Sequence, residues 1–418
     1  MRLPAILTAL LFSAVSLPGQ AQDFPRATPE SVGLSSAGLE RVTANLQAHI
    51  DQGHIAGAVA AVLRDGKLVY LESLGKRELE TGSEMPDDAL FRIYSMTRPV
   101  TSLAAMVLWE EGKFQLDDPI SMYLPQFADQ RVFVDPSAPD MNQTRERVGD
   151  ITVADLMRHT SGLGSRSSAI YVAENVRLRS ITLEQMTNNA ARVPLFEDPG
   201  TSFRYGLSAT ILGRLVEVWS GMPFDEFLQE RVFAPLGMTD TVFWVDPARL
   251  DRLAEVYRPA ADGSLRPHEM EEVDFTEQVP LLEGGVGLVS STLDFAKFSQ
   301  LFLSGGELHG RRLLKPETVQ LMMENSIADE LLPIGRGGYM AASGWTLGGF
   351  AYALDPENYD HTVSPGEVWW DGSAGTRFWI DPLQGIVTVI MAQISPADGE
   401  GFREEFKNGV YEAIVERR

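Results

Sequence analysis

Each end of the chain has the sequence pattern of one amphipathic helix next to a pair of strands. After Ser36, apolar residues recur at the three- and four-residue spacing of one buried helix face: Leu39, Val42, Leu46 and Ile50. Residues 57–63 and 67–74 then read as two strands, and Asp65-Gly66 between them suits a tight hairpin turn. The first part of the chain therefore begins a sheet.

The far end repeats this arrangement in reverse. Residues 376–380 and 386–393 are strand-like, and the last helix carries one apolar stripe: Phe402, Phe406, Val410 and Ile414. We expect a mixed α/β fold of the α+β type, in which an antiparallel sheet is flanked by the terminal helices. On this interpretation residues 30–90 and 285–418 form the sheet domain, and residues 91–284 form a mostly helical insertion.

The first residues have the pattern of a signal peptide. Arg2 precedes an apolar run over residues 5–17, and small residues follow up to Ala21. The run is too short for a membrane span, which needs about 20 residues. We therefore expect residues 1–21 to be cleaved after Ala21. The mature protein would be periplasmic or secreted, with no transmembrane segment.

Composition excludes several kinds of chemistry. With 58 acidic residues against 35 basic ones the net charge is −23, so a nucleic acid is an unfavourable partner. The chain has no cysteine, which removes thiol nucleophiles and thiolate metal sites. Its six histidines lack metal-ligand spacing, and no glycine-rich phosphate loop precedes a helix. We expect no metal, no cofactor and a small-molecule substrate, whereas the oligomeric state is not indicated.

A serine at the start of an amphipathic helix is the best candidate nucleophile. The elbow Gly-x-Ser-x-Gly is missing, because residues 371–375 have Asp in place of the first Gly, and this disfavours a Ser-His-Asp hydrolase. Ser95 precedes a helix with an apolar face, at the positive end of its dipole, and Arg98 lies on the same face. Taken alone, a serine in this position is more often a helix N-cap than a nucleophile.

Several ordered motifs resemble one known superfamily. The chain is similar, over about residues 30 to 415, to class C β-lactamases, penicillin-binding proteins and family VIII carboxylesterases. Ser95-Met96-Thr97-Arg98 looks like the Ser-x-x-Lys helix start of that superfamily. The remaining similar segments are residues 116–120, 123–125, 151–163, 199–208, 284–296 and 370–372.

The resemblance implies roles for individual residues. Ser95 would attack a carbonyl carbon and become acylated, and Tyr205 would exchange protons with it. The backbone N–H groups of Ser95 and Ser373 would form the oxyanion hole. A serine alkoxide does not exist at neutral pH, so a base must take the proton as attack occurs.

One residue departs from the motif in a way that bears on activity. Arg98 stands where the superfamily has lysine. Arginine stays protonated, so Arg98 cannot be a general base, although its charge can favour a tyrosinate at Tyr205. Two outcomes follow: a slower esterase in which Tyr205 alone is the base, or a pseudoenzyme that binds a ligand or partner without turnover.

Further departures concern the substrate. Trp370 replaces the cationic residue that grips the substrate carboxylate, and Leu207 replaces an asparagine, as in family VIII esterases. Asp371, beside Gly372, would repel anions, whereas Arg377 could bind them. We therefore expect hydrolysis or transfer of short-chain acyl esters, with β-lactams and D-amino-acid amides as weaker substrates. Three tryptophans are candidates to line an apolar acyl pocket: Trp345, Trp369 and Trp370.

Overall fold

The computed structural model describes residues 24–270, 275–335, 340, 342–359, 361–397 and 401–418. The predicted signal peptide, residues 1–21, lies outside these ranges and stays a prediction. Across the described ranges, every helix is too short or too polar to cross a membrane.

Eleven α-helices are found in the described part of the chain. They are α1 Ser36–Asp51, α2 Thr97–Glu110, α3 Val153–Arg158, α4 Ala169–Ala173, α5 Leu183–Arg192, α6 Ser208–Ser220, α7 Phe224–Leu228, α8 Ala234–Leu236, α9 Thr292–Leu303, α10 Pro316–Met323 and α11 Phe402–Glu412. The seven helices from α2 to α8 all lie in residues 91–284, the segment predicted to be mostly helical.

Sixteen strands accompany them in the same ranges. They are β1 Gly57–Arg64, β2 Lys67–Glu78, β3 Ser83–Glu84, β4 Leu90–Arg92, β5 Val132–Phe133, β6 Thr144–Arg145, β7 Tyr257–Pro259, β8 Leu265–Pro267, β9 Val289–Ser291, β10 Glu307–Leu308, β11 Arg311–Arg312, β12 Ser343–Trp345, β13 Ala351–Ala353, β14 Val368–Asp371, β15 Arg377–Asp381 and β16 Ile386–Ala392. Eight of these strands form four separate two-stranded sheets, which are β4-β9, β5-β6, β7-β8 and β10-β11.

The main sheet joins the two ends of the chain. It has eight strands in the order β12-β13-β14-β15-β16-β1-β2-β3, and each neighbouring pair is antiparallel. Strand β1 pairs with β16 in a register that runs from Ala58 opposite Ala392 to Arg64 opposite Ile386. The predicted antiparallel sheet in a mixed α/β fold is therefore confirmed, whereas the domain boundaries remain a prediction.

Helices cover both faces of this sheet. Phe378 and Trp379 are consecutive in β15 and so point to opposite faces. Phe378 packs against Phe295 of α9, with ring centroids 4.8 Å apart, and Trp379 packs against Phe406 of α11 at 6.5 Å. Burial on both faces explains why all eight residues of β1 are buried. Seven of them are apolar, and the eighth is Arg64.

The terminal helices pack closely against each other. A Cβ atom on Gly38 of α1 would lie 2.5 Å from the Cβ of Ala413, just past α11. Gly409 of α11 is equally close to α1, because a Cβ there would lie 2.9 Å from Val42 Cγ2. Glycine at these two positions lets the helices approach and complete the layer behind the sheet.

Candidate active site

Ser95 lies in a short turn between β4 and α2. The 3₁₀ turn covers Tyr94–Met96, and Tyr94 has a φ of 41°, which is unusual for an aromatic residue. The N-caps of the turn and of α2 are Ile93 and Met96, and neither makes a side-chain capping hydrogen bond. Ser95 is therefore not the N-cap of α2, and its half-buried side chain lines a cavity instead.

Arg98 lies in the first turn of α2 and is 5% exposed. Its Nε donates a hydrogen bond to the Tyr205 hydroxyl, and its Nη1 donates to the Gly206 carbonyl at 2.9 Å. Burial lowers the pKa of Arg98, and the neighbouring Tyr205 acts in the opposite direction. Because an arginine pKa starts above about 12, the side chain remains a cation. Gly285 leaves room for it, since a Cβ there would lie 3.2 Å from Nη1.

Three side chains contact the Tyr205 hydroxyl oxygen. It accepts hydrogen bonds from Arg98 Nε and from Trp370 Nε1, the second at 3.1 Å, and it interacts with the Ser95 hydroxyl. Burial raises the pKa of Tyr205 above its ordinary value, although the Arg98 charge and the bonds to Ser95 and Trp370 lower it. The resting phenol is therefore neutral, and a phenolate formed there would have three donors around it.

The loop between β14 and β15 brings Ser373 to the same cavity. A Cβ on Gly372 would lie 2.4 Å from the Ile93 carbonyl oxygen and 2.3 Å from Thr376 Oγ1, so only glycine fits. This close approach holds the loop against the segment that leads into Ser95. Ser373 itself is exposed at the cavity wall.

The cavity has a volume of 530 Å³, which suits a small molecule. It brings together six of the residues singled out from the sequence: Ser95, Tyr205, Trp370, Asp371, Gly372 and Ser373. The other lining residues are mainly apolar: Phe203, Ile334, Gly335, Met340, Ser395, Pro396, Ala397 and Arg403. An apolar wall therefore faces the reacting hydroxyl groups.

The residues that line this cavity include two serine hydroxyls, Ser95 and Ser373, and the phenol of Tyr205. Such a set suits covalent catalysis of acyl transfer. Elsewhere in the described ranges, no three or more His, Cys, Asp or Glu side chains form a group that could hold a metal ion.

Comparison with known families agrees with this geometry. The family model described as Beta-lactamase matches residues 42–408. The chain belongs to the Beta-lactamase family. The superfamily resemblance read from the motifs is thereby confirmed.

Relatives of this Beta-lactamase-family chain include hydrolases. Protein Rv1367c of Mycobacterium tuberculosis is 32% identical over 86% of this chain and 90% of its own length. Esterase EstB of Burkholderia gladioli is 28% identical over 87% of this chain and 92% of its own. The solved structure of EstCE1, a hydrolase with promiscuous acyltransferase activity, has a TM-score of 0.78 and 25% identity, covering 90% of this chain and 98% of that one. The family supports a serine hydrolase or acyltransferase class.

Arg403 is a cavity residue that the sequence analysis missed. It is 2% exposed in α11, and its Nη1 lies 3.4 Å from Asp371 Oδ2. The sequence led us to expect Asp371 to repel anions, but the buried Arg403 offsets that charge. The apolar stripe of the last helix predicted the helix itself. No sequence signal indicated that Arg403 reaches the cavity of this Beta-lactamase-family chain.

Arg377 does not line the cavity, although its backbone pairs with that of Asp371 between β15 and β14. It is fully buried, pairs with Glu404 of α11, and stacks between Trp369 at 4.4 Å and Trp379 at 5.0 Å. None of these four residues is among those that line the cavity. The structure therefore places Arg377 and Trp369 beneath α11, away from Ser95.

The buried His159 ring packs against the ring of Tyr205. Its ring centroid lies 4.8 Å from that of Tyr205 and 5.4 Å from that of Trp345, which in turn packs edge-on against Trp370 at 4.5 Å. Burial, aided by the charge of Arg98, lowers the pKa of His159 well below its ordinary value. A neutral imidazole thus packs against Tyr205, and it belongs to residues 151–163, one of the segments that resemble the superfamily.

Proposed function

We propose that this protein hydrolyses short-chain acyl esters through an acyl-enzyme on Ser95. The observation that carries the proposal is the contact of the Tyr205 oxygen with Ser95, Arg98 and Trp370 at the wall of one cavity. The names of two relatives, an esterase and a hydrolase with acyltransferase activity, support the same reaction class.

Acylation begins with the Tyr205 phenolate. Ser95 Oγ bonds to the ester carbonyl carbon while its proton passes to the Tyr205 oxygen. The carbonyl oxygen gains the negative charge and is stabilised by the backbone N–H groups of Ser95 and Ser373. When the intermediate collapses, the bond to the alcohol breaks and Tyr205 returns the proton to the departing alkoxide.

Deacylation repeats these steps with a second nucleophile. Water attacks the acyl carbon, Tyr205 accepts its proton, and the carboxylic acid leaves as the proton returns to Ser95 Oγ. An alcohol that replaces water receives the acyl group instead. Acyl transfer is therefore a second reaction of the same intermediate, and the acyltransferase activity of EstCE1 supports it.

Arg98 acts as a fixed charge in this scheme and not as a base. Its guanidinium stabilises the phenolate by charge and by the bond from Nε. The bond to the Gly206 carbonyl holds the segment after Tyr205 in place. Because burial opposes ionisation of Tyr205, we expect a slow esterase at neutral pH.

The lining of the cavity favours uncharged acyl groups. Trp370 stands where a cation would grip a carboxylate, and Phe203, Ile334 and Met340 add apolar surface. Penicillins and D-amino-acid amides, which carry a carboxylate, would lack that partner and react more slowly.

We also propose that the protein is exported. The proposal rests on the signal-peptide pattern of residues 1–21, with cleavage after Ala21. N-terminal sequencing of the protein from cells that express the full chain tests it. A mature form that begins at Gln22 supports export, and an intact Met1 contradicts it.

The enzymatic proposal is tested with p-nitrophenyl butyrate. We expect hydrolysis by the unmodified protein and a loss of about 10³-fold or more in Ser95→Ala. Ser299→Ala is the matched control, because Ser299 is a buried serine of α9 whose hydroxyl donates to the Phe295 carbonyl of the same helix. A Ser95→Ala variant as active as the unmodified protein would refute the mechanism. No hydrolysis by the unmodified protein would favour the alternative, a ligand-binding pseudoenzyme.

A further inference from the structure

Gln393 is a buried amide just beyond β16, and it is 5% exposed. Its Oε1 accepts a hydrogen bond from the Arg92 N–H at 3.1 Å, and its Nε2 lies 3.3 Å from the Arg92 carbonyl. The same Nε2 is 3.3 Å from the Ala374 carbonyl and 2.9 Å from that of Ala392. One side chain thus binds three separate backbone positions.

The positions that Gln393 binds are close in sequence to the two proposed oxyanion-hole groups. Arg92 ends β4 and leads through the tight turn into Ser95. Ala374 directly follows Ser373 in the loop after β14. Gln393 therefore connects the segment that carries one N–H group to the segment that carries the other.

The two segments touch where Gly372 packs against the Ile93 carbonyl, and backbone hydrogen bonds join each of them to a different neighbour. The Ile93 N–H donates to the Leu288 carbonyl at 3.0 Å, and the Ile394 N–H donates to the Ala374 carbonyl at 2.9 Å. Each of these bonds ties one segment to its own neighbour. The amide of Gln393 reaches both segments at once, and a buried amide with its bonds satisfied resists displacement.

We propose that Gln393 is a positioning residue that sets the distance between the backbone N–H groups of Ser95 and Ser373. The inference rests on the proposed function and deepens it, because it assigns the geometry of the oxyanion hole to a side chain outside the cavity. Gln393 does not touch the substrate. It acts through Arg92 and Ala374.

This role predicts a specific kinetic signature. The hole binds the charged oxygen of the transition state more strongly than the ester carbonyl, so its misplacement lowers kcat and leaves KM nearly unchanged. A displacement of about 1 Å can cost about 10²-fold in rate. We expect a fall in kcat of about 10- to 100-fold when the amide is removed, with KM within about threefold.

Two variants and one control test the inference. Gln393→Met keeps the volume and removes the amide, whereas Gln393→Asn keeps an amide that is one methylene too short to span both segments. Gln384→Met is the matched control, because Gln384 is 6% exposed and its amide also bridges distant segments, bonding to Arg418 at the C-terminus. For each protein, kcat and KM for p-nitrophenyl butyrate, the rate of Ser95 labelling by a fluorophosphonate and the thermal midpoint are measured.

We expect both Gln393 variants to lose kcat and labelling rate by similar factors, with Gln384→Met unaffected in both. If Gln393→Met does not fold, Gln393→Asn decides the matter in the same way. Unchanged kcat in folded Gln393 variants, or a change confined to KM, would overturn the inference while the Ser95 mechanism stands. Absence of both hydrolysis and a Ser95 adduct in the unmodified protein would instead overturn the proposed function, and the inference with it.

Discussion

Arg98 and Tyr205 form a stacked, hydrogen-bonded pair, and Tyr205 lines the cavity. The guanidinium carbon of Arg98 lies 4.0 Å from the centroid of the Tyr205 ring, while its Nε donates to the hydroxyl of the same residue. A lysine would present a single titratable ammonium here, but the arginine presents a permanent charge in a fixed plane. In the proposed mechanism the proton acceptor is therefore the tyrosine, and we expect its pKa to control the rate.

The pH dependence of hydrolysis follows from that relationship. Burial raises the pKa of Tyr205, so the reactive phenolate is a small fraction at neutral pH and grows about tenfold per pH unit below that pKa. We expect kcat/KM for p-nitrophenyl butyrate to rise steadily with pH through the alkaline range in which the protein stays folded. A bell-shaped profile centred near neutral pH would point to a different base.

Arg98→Lys is expected to increase turnover near neutral pH. A buried lysine can lose its proton and take the proton of Ser95 directly, which arginine cannot do. Arg98→Met is the contrasting variant, because it removes the charge that lowers the pKa of Tyr205 and should be at least tenfold slower. Steady-state rates at a fixed pH give the order Lys, Arg, Met. No gain in the lysine variant would show that Arg98 does not limit the reaction.

Tyr205→Phe removes the proton acceptor and keeps the ring. We expect kcat to fall by about 10²- to 10⁴-fold. The free energy of unfolding should fall by about 1–3 kcal/mol, because the buried donors of Arg98 and Trp370 lose their acceptor. Tyr70→Phe is the control, since Tyr70 is a buried tyrosine of β2 whose hydroxyl bonds to Thr43 and which does not line the cavity. Equal activity in the two phenylalanine variants would remove Tyr205 from the mechanism.

A buried ion pair beneath α11 is expected to matter for stability and not for catalysis. Glu367 and Lys407 are fully buried and hydrogen-bonded to each other, so Lys407→Met leaves an uncompensated buried carboxylate. The expected cost is about 3–5 kcal/mol in the free energy of unfolding. Lys76→Met breaks an exposed pair with Glu84 and should cost about 1 kcal/mol or less. Urea denaturation compares the two, and equal losses would contradict this account of the pair.

The sequence predicted those parts of the fold that depend on local patterns. The start of α1 at Ser36 and the position of α11 from Phe402 agree with the structure, because apolar spacing marks buried faces directly. Strand β2 was expected to end near Leu74 but continues to Glu78. Gly75 has a φ of 74° and packs against the Ala56 carbonyl, and the strand continues through it. A glycine in a sequence pattern usually indicates the end of a strand, so the pattern did not predict this continuation.

The sequence predicted only those residues of the candidate site that belong to recognisable motifs or lie next to them. Ser95, Tyr205 and Ser373 follow from ordered motifs, and the structure places them on one cavity. The sequence analysis proposed Arg377 as a substrate-binding residue, but the arginine that lines the cavity is Arg403. Which arginine faces the cavity depends on how α11 packs across the sheet, a long-range relationship that no local pattern encodes.

Covalent labelling of Ser95 tests the central claim most directly. The protein is incubated with a fluorophosphonate, its intact mass is measured, and the modified residue is mapped by peptide fragmentation. We predict a single adduct on Ser95 that forms faster at alkaline pH and is absent in Ser95→Ala. An unlabelled protein, or an adduct on another residue that persists in Ser95→Ala, would contradict the account.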